Sequence, residues 1–148
     1  MEAEIISANS DVMRLMRRAF DTRARKIGVT RAQWQVMIAI RRNPGINQGG
    51  LAELMDVEPI TVGRMIDRLQ DGGIVERRPD PADRRAWRLH LTEKADSLVD
   101  QLRPLADDLF EEAFDGLSGV ERAQLFALLD RVRTNLATRP PEGLRAHG

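Results

Sequence analysis

Residues 48–92 read QGGLAELMDVEPITVGRMIDRLQDGGIVERRPDPADRRAWRLHLT, and this stretch decides the fold. A short helical pattern, Gln48 to Met55, meets a break at Asp56-Val57-Glu58. A second helical pattern runs from Pro59 to about Gln70 and stops at Gly72-Gly73. Two strand-like runs follow, Ile74 to Arg78 and Trp87 to Leu91, joined by a charged turn from Pro79 to Ala86. Helix, tight turn, helix and hairpin, in that order, make a winged helix-turn-helix.

The second helix divides cleanly by face. At about 100° per residue, Val62, Ile66 and Leu69 fall on one stripe, which suits a core. Thr61, Arg64 and Arg68 fall on the opposite stripe, with Ile60 at its N-terminal edge. Arginine pairs bidentately with guanine, and an aliphatic group can touch the thymine methyl. A helix with that outer face is suited to enter the major groove by its N-terminal half. Pro59 fits the first turn, where its missing N–H costs nothing. Taken alone, such a helix reads as a solvated surface helix; the hairpin beside it moves the reading toward DNA.

Gly72-Gly73 can supply the positive φ that ends a helix. Two prolines, Pro79 and Pro81, stiffen the hairpin connection and remove backbone donors. Arg84 and Arg85 then lie at or near its tip, where an arginine can reach a narrow minor groove. Arg77, Arg78 and Arg88 add charge along the strands and are placed to meet phosphates. Asp83 is out of place beside DNA, so it is expected to orient an arginine, either Arg85 or Arg68.

These residues resemble the MarR family of bacterial regulators. The likeness is carried by Leu51-Ala52-Glu53-Leu54-Met55-Asp56-Val57 and by Thr61-Val62-Gly63-Arg64-Met65-Ile66-Asp67-Arg68-Leu69. It continues in Gly73-Ile74-Val75-Glu76-Arg77, Asp83-Arg84-Arg85 and Leu89-His90-Leu91-Thr92-Glu93-Lys94-Ala95. The SlyA-like branch is the most similar, and the likeness extends over about residues 8 to 138. It implies a homodimeric regulator of transcription that binds double-stranded DNA, more often a repressor than an activator. It also implies base reading at Thr61 and Arg64, a minor-groove role for Arg85 and a phosphate contact at Gln48. Gly63 departs from a good recognition helix, since glycine costs about 1 kcal/mol relative to alanine in a helix interior.

The whole chain is compatible with this reading. Its 148 residues suit one domain with a real core. No apolar run approaches the roughly 20 residues needed to span a bilayer. The acidic start, Met1-Glu2-Ala3-Glu4, lacks the order of a signal peptide, so a cytoplasmic location without membrane attachment is expected. Cysteine is absent and there are only two histidines, which argues against disulfides, thiol redox sensing and a structural zinc site. The formal net charge is zero, yet the signs are segregated. Arginines crowd Arg64 to Arg88, while Glu93, Asp96, Asp100, Asp107, Asp108, Glu111, Glu112 and Asp115 follow. Screening limits each patch to a range of about 10 Å at 0.1 M salt, so a basic face and an acidic rear can coexist.

Outside the central stretch the pattern is helical. Asn9 or Ser10 can cap a first helix running to about Lys26, striped by Val12, Leu15, Met16, Ala19 and Phe20. Thr30 caps a second helix to about Arg42. Ile46 is a candidate third strand against the wing. Thr92 caps a long helix to about Phe114, with Pro104 expected to kink it rather than divide it. Ser118 and Glu121 form a capping box for a last helix whose stripe is Leu125, Leu128, Leu129 and Val132. The expected fold class is therefore mainly α with a small β-hairpin wing. Residues 30–92 form the DNA-binding part, 8–29 and 93–138 the dimerisation helices, and 139–148 a flexible tail. A two-fold dimer would place its recognition helices about 34–36 Å apart and read a pseudo-palindrome.

No nucleophile motif, phosphate-cradling loop or metal-ligand cluster is present, so neither an enzyme nor a bound cofactor is expected. His90 alternates with Leu89 and Leu91 on a strand and reads as a surface or phosphate-contacting residue. The family likeness implies a small aromatic or phenolic effector, near Arg17, Trp34 and Met37; for Trp34 and Met37 the competing reading is plain core. A second functional class stays open, in which the winged helix docks an acidic protein partner and binds no specific DNA.

Overall fold

Four of the helices, those led by Thr30, Asn47, Thr92 and Ser118, begin where a side chain holds one of their free N–H groups. The computed structural model describes residues 1–138; the expected flexible tail, 139–148, lies outside the described residues. Helix α1 spans Glu2–Arg25, α2 Arg31–Arg42, α3 Gln48–Met55 and α4 Pro59–Asp71. Strands β1, Val75–Pro79, and β2, Trp87–Leu91, precede α5, Glu93–Ala113, and α6, Gly119–Ala137. Thr30 and Gln33 close a capping box on α2. The Asn47 side chain accepts from the Gly50 N–H on α3, and Pro59 opens α4. Thr92 Oγ1 accepts from the Ala95 N–H and donates to the Gly73 carbonyl at 2.5 Å. That one hydroxyl starts α5 and ties it to the turn after α4. Ser118 and Glu121 form the expected box on α6.

Helix ends are equally local. Asp56 takes a left-handed conformation (φ 53°) to close α3, and Gly73 (φ 72°) turns the chain from α4 into the hairpin. Only glycine takes such a φ without a Cβ penalty; Asp56 tolerates it as a short polar residue. The strands pair antiparallel in the register Val75 with Leu91, Arg77 with Leu89 and Pro79 with Trp87.

The described chain divides into two compact units, the first from Met1 to Phe110 and the second from Glu111 onward. The first unit has one core. Val36, Met37 and Ile40 of α2 meet Leu51 of α3, Val62 and Ile66 of α4, and Leu89 of β2, all 3% exposed or less. Ala95, Val99 and Leu102 of α5 and Phe20 and Ala24 of α1 complete it. In the second unit Arg122 donates to the Phe114 carbonyl at 3.0 Å and lies over its ring. Helix α6 buries no side chain: Leu125, Leu128, Leu129 and Val132 are all exposed. On α1, Ile5, Ile6, Val12, Met13 and Leu15 are exposed as well.

The architecture is the expected one, six helices and a two-stranded wing, with two corrections. First, α1 starts at Glu2, not at Asn9 or Ser10, and no side chain caps it. Polar residues in a helix interior cost well under about 1 kcal/mol each, and Glu2 and Glu4 favour the N-terminal dipole. A capping residue therefore permits a helix start without enforcing one. Second, Ile46 forms no strand. Its carbonyl accepts from the Leu89 N–H at 2.8 Å, and Asn47 makes a single bridge to Arg88. Pro44-Gly45 before it and α3 after it leave no length for a strand. Helix α5 runs through Pro104 as one element.

Candidate nucleic-acid interface

The periodicity of α4 places its two faces as the sequence requires. Val62 and Ile66 are 0% exposed, so Ile60, Thr61, Arg64 and Arg68 are turned outward. Neither Arg64 nor Arg68 has a side-chain hydrogen bond or ion pair among the described residues. The helix is held by its other side. Arg77, on β1, donates from Nε to Gln48 Oε1 at 2.9 Å and from Nη1 to Gln70 Oε1 at 3.0 Å. The same Nη1 lies 2.7 Å from Asp67 Oδ1, and Nη2 reaches the Gly63 carbonyl at 3.4 Å. A single guanidinium thus joins the start of α3, the length of α4 and the wing. The expected phosphate contact at Arg77 is therefore corrected: five donors in a fixed fork are turned inward, and the side chain is only 19% exposed.

Gly63 belongs to this arrangement. A Cβ there would lie 3.4 Å from Gln48 Nε2, an ordinary contact. The glycine faces the Gln48–Arg77 pair rather than the outer stripe.

The wing loop is built from its own carboxylates. Asp80 Oδ1 accepts from the Ala82 N–H at 2.8 Å, and Oδ2 accepts from Arg88 Nε at 3.0 Å. The backbone N–H of Ala82 and then Arg88 hold the Asp80 carboxyl below its ordinary range. Asp83 Oδ1 accepts from the Arg85 backbone N–H at 2.9 Å. Both are aspartates bonding two residues onward, the usual way such a side chain shapes a turn. Asp83 was expected to orient the guanidinium of Arg85 or Arg68; it instead fixes the backbone on which Arg85 is carried. Arg84 and Arg85 are exposed and have no side-chain partner among the described residues.

The sequence-predicted residues therefore separate into two sets. Ile60, Thr61, Arg64 and Arg68 on α4, and Arg84 and Arg85 on the wing, are outward with no side-chain hydrogen bond or ion pair among the described residues. Gln48 and Arg88 have intramolecular partners, Arg77 and Asp80, as does Arg78 in Glu76. No periodicity could have told the sets apart, because the partners come from other elements.

The three residues expected near an effector do not share one surroundings. Met37 is 0% exposed and is core. Trp34 packs edge-on against Phe20 with ring centroids 4.9 Å apart, and its indole N–H donates to Asp21 Oδ1 at 2.8 Å. Arg31 Nε donates to Asp21 Oδ2 at 2.7 Å. Burial alone would raise the Asp21 carboxyl, but the hydrogen bonds from Arg31 and Trp34 bring it below its ordinary value. Arg17 is exposed, donates to the Met13 carbonyl, and lines a shallow depression with Ser10, Arg14, Arg18 and Arg31. Among the described residues no helix is long and apolar enough to cross a membrane.

Sequence reading also passed over Trp87. It is 45% exposed and lines a cleft with Asn47, Gln48, Gly49, Arg85 and Ala86. Its place at the loop end of the hairpin, where the core gives out, was the available signal.

Known proteins with this arrangement are numerous. The MarR family profile matches residues 27–86. The HTH-type transcriptional regulator YybA of Bacillus subtilis is 34% identical over 110 residues, which are 74% of this chain and 73% of YybA. Wild-type MarR of Escherichia coli, in its apo form, is 30% identical with a TM-score of 0.74, over 85% of this chain and 94% of that one. A cysteine-to-serine mutant of the same protein, solved in complex with operator DNA, is 29% identical with a TM-score of 0.75, over 87% and 93%. The transcriptional regulator SlyA is 29% identical with a TM-score of 0.77, over 89% and 93%. Identity of this level over most of both chains, joined to a winged helix-turn-helix built in the same order, places this chain in the MarR family.

Proposed function

We propose that this protein is a sequence-specific regulator of transcription that binds double-stranded DNA as a homodimer, and that it represses. The observation carrying this reading is the partition of its arginines. Arg64, Arg68, Arg84 and Arg85 project from α4 and the wing without a side-chain partner among the described residues, while Arg77, Arg78 and Arg88 are paired within the fold. Desolvating an arginine that already has a carboxylate costs binding energy; an unpartnered one is free to pair with guanine or phosphate. In this reading Thr61 and Arg64 read bases, with Ile60 against a thymine methyl. Arg85 enters the minor groove, and Arg68 and Arg84 meet phosphates. Gln48, whose Oε1 is occupied by Arg77, keeps its Nε2 as the donor for a phosphate. Arg88 contributes through Asp80, by holding the wing. The operator-bound MarR relative supports the DNA part of the proposal.

The second copy would cover the apolar residues left exposed on α1 and α6. Their number, five named on α1 and four on the α6 stripe, exceeds the scattered exposure normal on a monomer's surface. A small aromatic or phenolic effector belongs to the same proposal. Its binding close to Arg17 and Trp34 would quench the Trp34 emission.

Selection of bound duplexes from a random pool tests the central claim. Enrichment of a pseudo-palindrome with half-sites one helical turn apart is the expected result. Log affinity should fall linearly with log salt. Absence of duplex binding at low salt would refute the reading and favour a winged helix that docks an acidic protein.

A further inference from the structure

A cleft runs between the start of α3 and the loop end of the wing, and its tryptophan has no role in the reading above. It is lined by Asn47, Gln48, Gly49, Arg85, Ala86 and Trp87. Trp87 shares a strand face with Leu89 and Leu91, by the period-two rule of a strand. Leu89 is fully buried, whereas Trp87 is 45% exposed. The hairpin pairs Trp87 with Pro79 at its loop end, farthest from the core. The indole N–H has no hydrogen-bond partner among the described residues, whereas that of Trp34 is bonded to Asp21. An exposed tryptophan is a large apolar surface with a free donor at one edge, and such groups concentrate where a partner is bound.

We propose that Trp87 is a DNA-contacting residue, its indole face covering a deoxyribose and its N–H donating to the adjoining phosphate, beside the groove that Arg85 enters. The inference rests on the DNA-binding reading above and adds to it a contact that reads no sequence. Three features support this partner. Arg85, carried on a loop fixed by Asp80 and Asp83, shares the cleft, so the backbone flanking the groove it enters passes the indole. The remaining lining, Asn47, Gln48, Gly49 and Ala86, is uncharged, without a carboxylate to repel a phosphate. The cleft is held in shape from behind, since the Leu89 N–H bonds the Ile46 carbonyl at 2.8 Å and Asn47 bridges Arg88. A sugar contact of this kind fixes how deep the wing sits and leaves base choice to α4.

The test uses the intact protein labelled with 5-fluorotryptophan. Its two indole resonances are assigned with the W87F variant. Saturation with duplex should shift the Trp87 resonance and leave that of Trp34 in place. In parallel, W87A should weaken selected and random duplexes by the same factor, roughly threefold to tenfold. The slope of log affinity against log salt should stay that of the parent, because no charge is removed. W87F should recover the part owed to the ring and not the part owed to the N–H. An unmoved Trp87 resonance in the saturated complex overturns the inference, as does a folded W87A that keeps parental affinity. A parent protein that binds no duplex overturns the DNA-binding reading itself, and this contact with it.

Discussion

Replacing Arg77 by methionine and Arg64 by alanine should have opposite consequences, although both are arginines of the same motif. Methionine keeps most of the Arg77 stem and removes the fork. Two charge-assisted hydrogen bonds are lost, to Gln48 at 2.9 Å and Gln70 at 3.0 Å. Such bonds are worth about 1.5–3 kcal/mol when well buried. Here Gln70 is exposed and Gln48 half-buried, so water replaces part of each. The ion pair with Asp67, itself 64% exposed, adds at most about 1 kcal/mol after screening. The long contact to the Gly63 carbonyl adds little. The sum is about 2 kcal/mol, or about 4–8 °C in melting temperature for a chain of this size. Thermal and urea unfolding at one fixed protein concentration measure it, since dimerisation makes stability depend on concentration. Arg64→Ala should change stability by less than about 0.5 kcal/mol, as an exposed site without partners. It should cost about 1–3 kcal/mol of affinity for the selected operator, and less for random duplex. If R77M unfolds with the parent while R64A is destabilised, the division of the arginines into framework and reading groups is wrong.

Three further changes test other parts of the structure. Gly63→Ala should stabilise by up to about 1 kcal/mol in urea, through helix propensity, because the added methyl meets Gln48 Nε2 at an acceptable 3.4 Å; a lower midpoint would mean that α4 and Gln48 sit closer than this. Asp21→Asn should remove a pH-dependent part of stability. The folded carboxyl lies below its ordinary value, so its contribution is complete above the unfolded pKa and fades as pH falls through the folded one. Parent and D21N unfolding free energies should therefore converge between about pH 5 and about pH 2, and a constant gap would refute the Arg31 pairing. Leu128→Asp places a charge on the exposed stripe of α6 and should shift sedimentation from dimer to monomer at micromolar concentration, with the far-ultraviolet circular dichroism retained.

How far the sequence could be read follows from how far each interaction reaches along the chain. Thr30 with Gln33, Ser118 with Glu121 and Thr92 with Ala95 are three residues apart, so their caps are visible as short patterns. The same is true of the Val62, Ile66 and Leu69 stripe, which one helix repeats by itself. Even within that range the start of α1 was misjudged, because a capping residue and a tolerated polar residue look alike. Arg77 and Gln48 are 29 residues apart, and Arg41 and Asp96 are 55 apart. Such pairs exist only once the elements are packed, so an arginine that braces the fold and one that faces outward are indistinguishable beforehand.

That distinction bears on the absence of net charge. Twenty-three basic residues balance twenty-three acidic ones over the chain. Within the winged part, however, the acids are not spread evenly among the arginines. Asp67, Glu76 and Asp80 stand beside Arg77, Arg78 and Arg88, and Asp96 stands beside Arg41. The carboxylate of Asp83, nearest in sequence to the wing tip, is turned to a backbone N–H. On the outward faces of the helix and the loop, Arg64, Arg68, Arg84 and Arg85 have no carboxylate partner among the described residues. Since screening confines each charge to its neighbourhood, a phosphate approaching the outer stripe of α4 and the wing tip meets these arginines before the average charge of the chain. A chain neutral in total can therefore carry a cationic site where Asp67, Glu76 and Asp80 are committed to the arginines that build the fold.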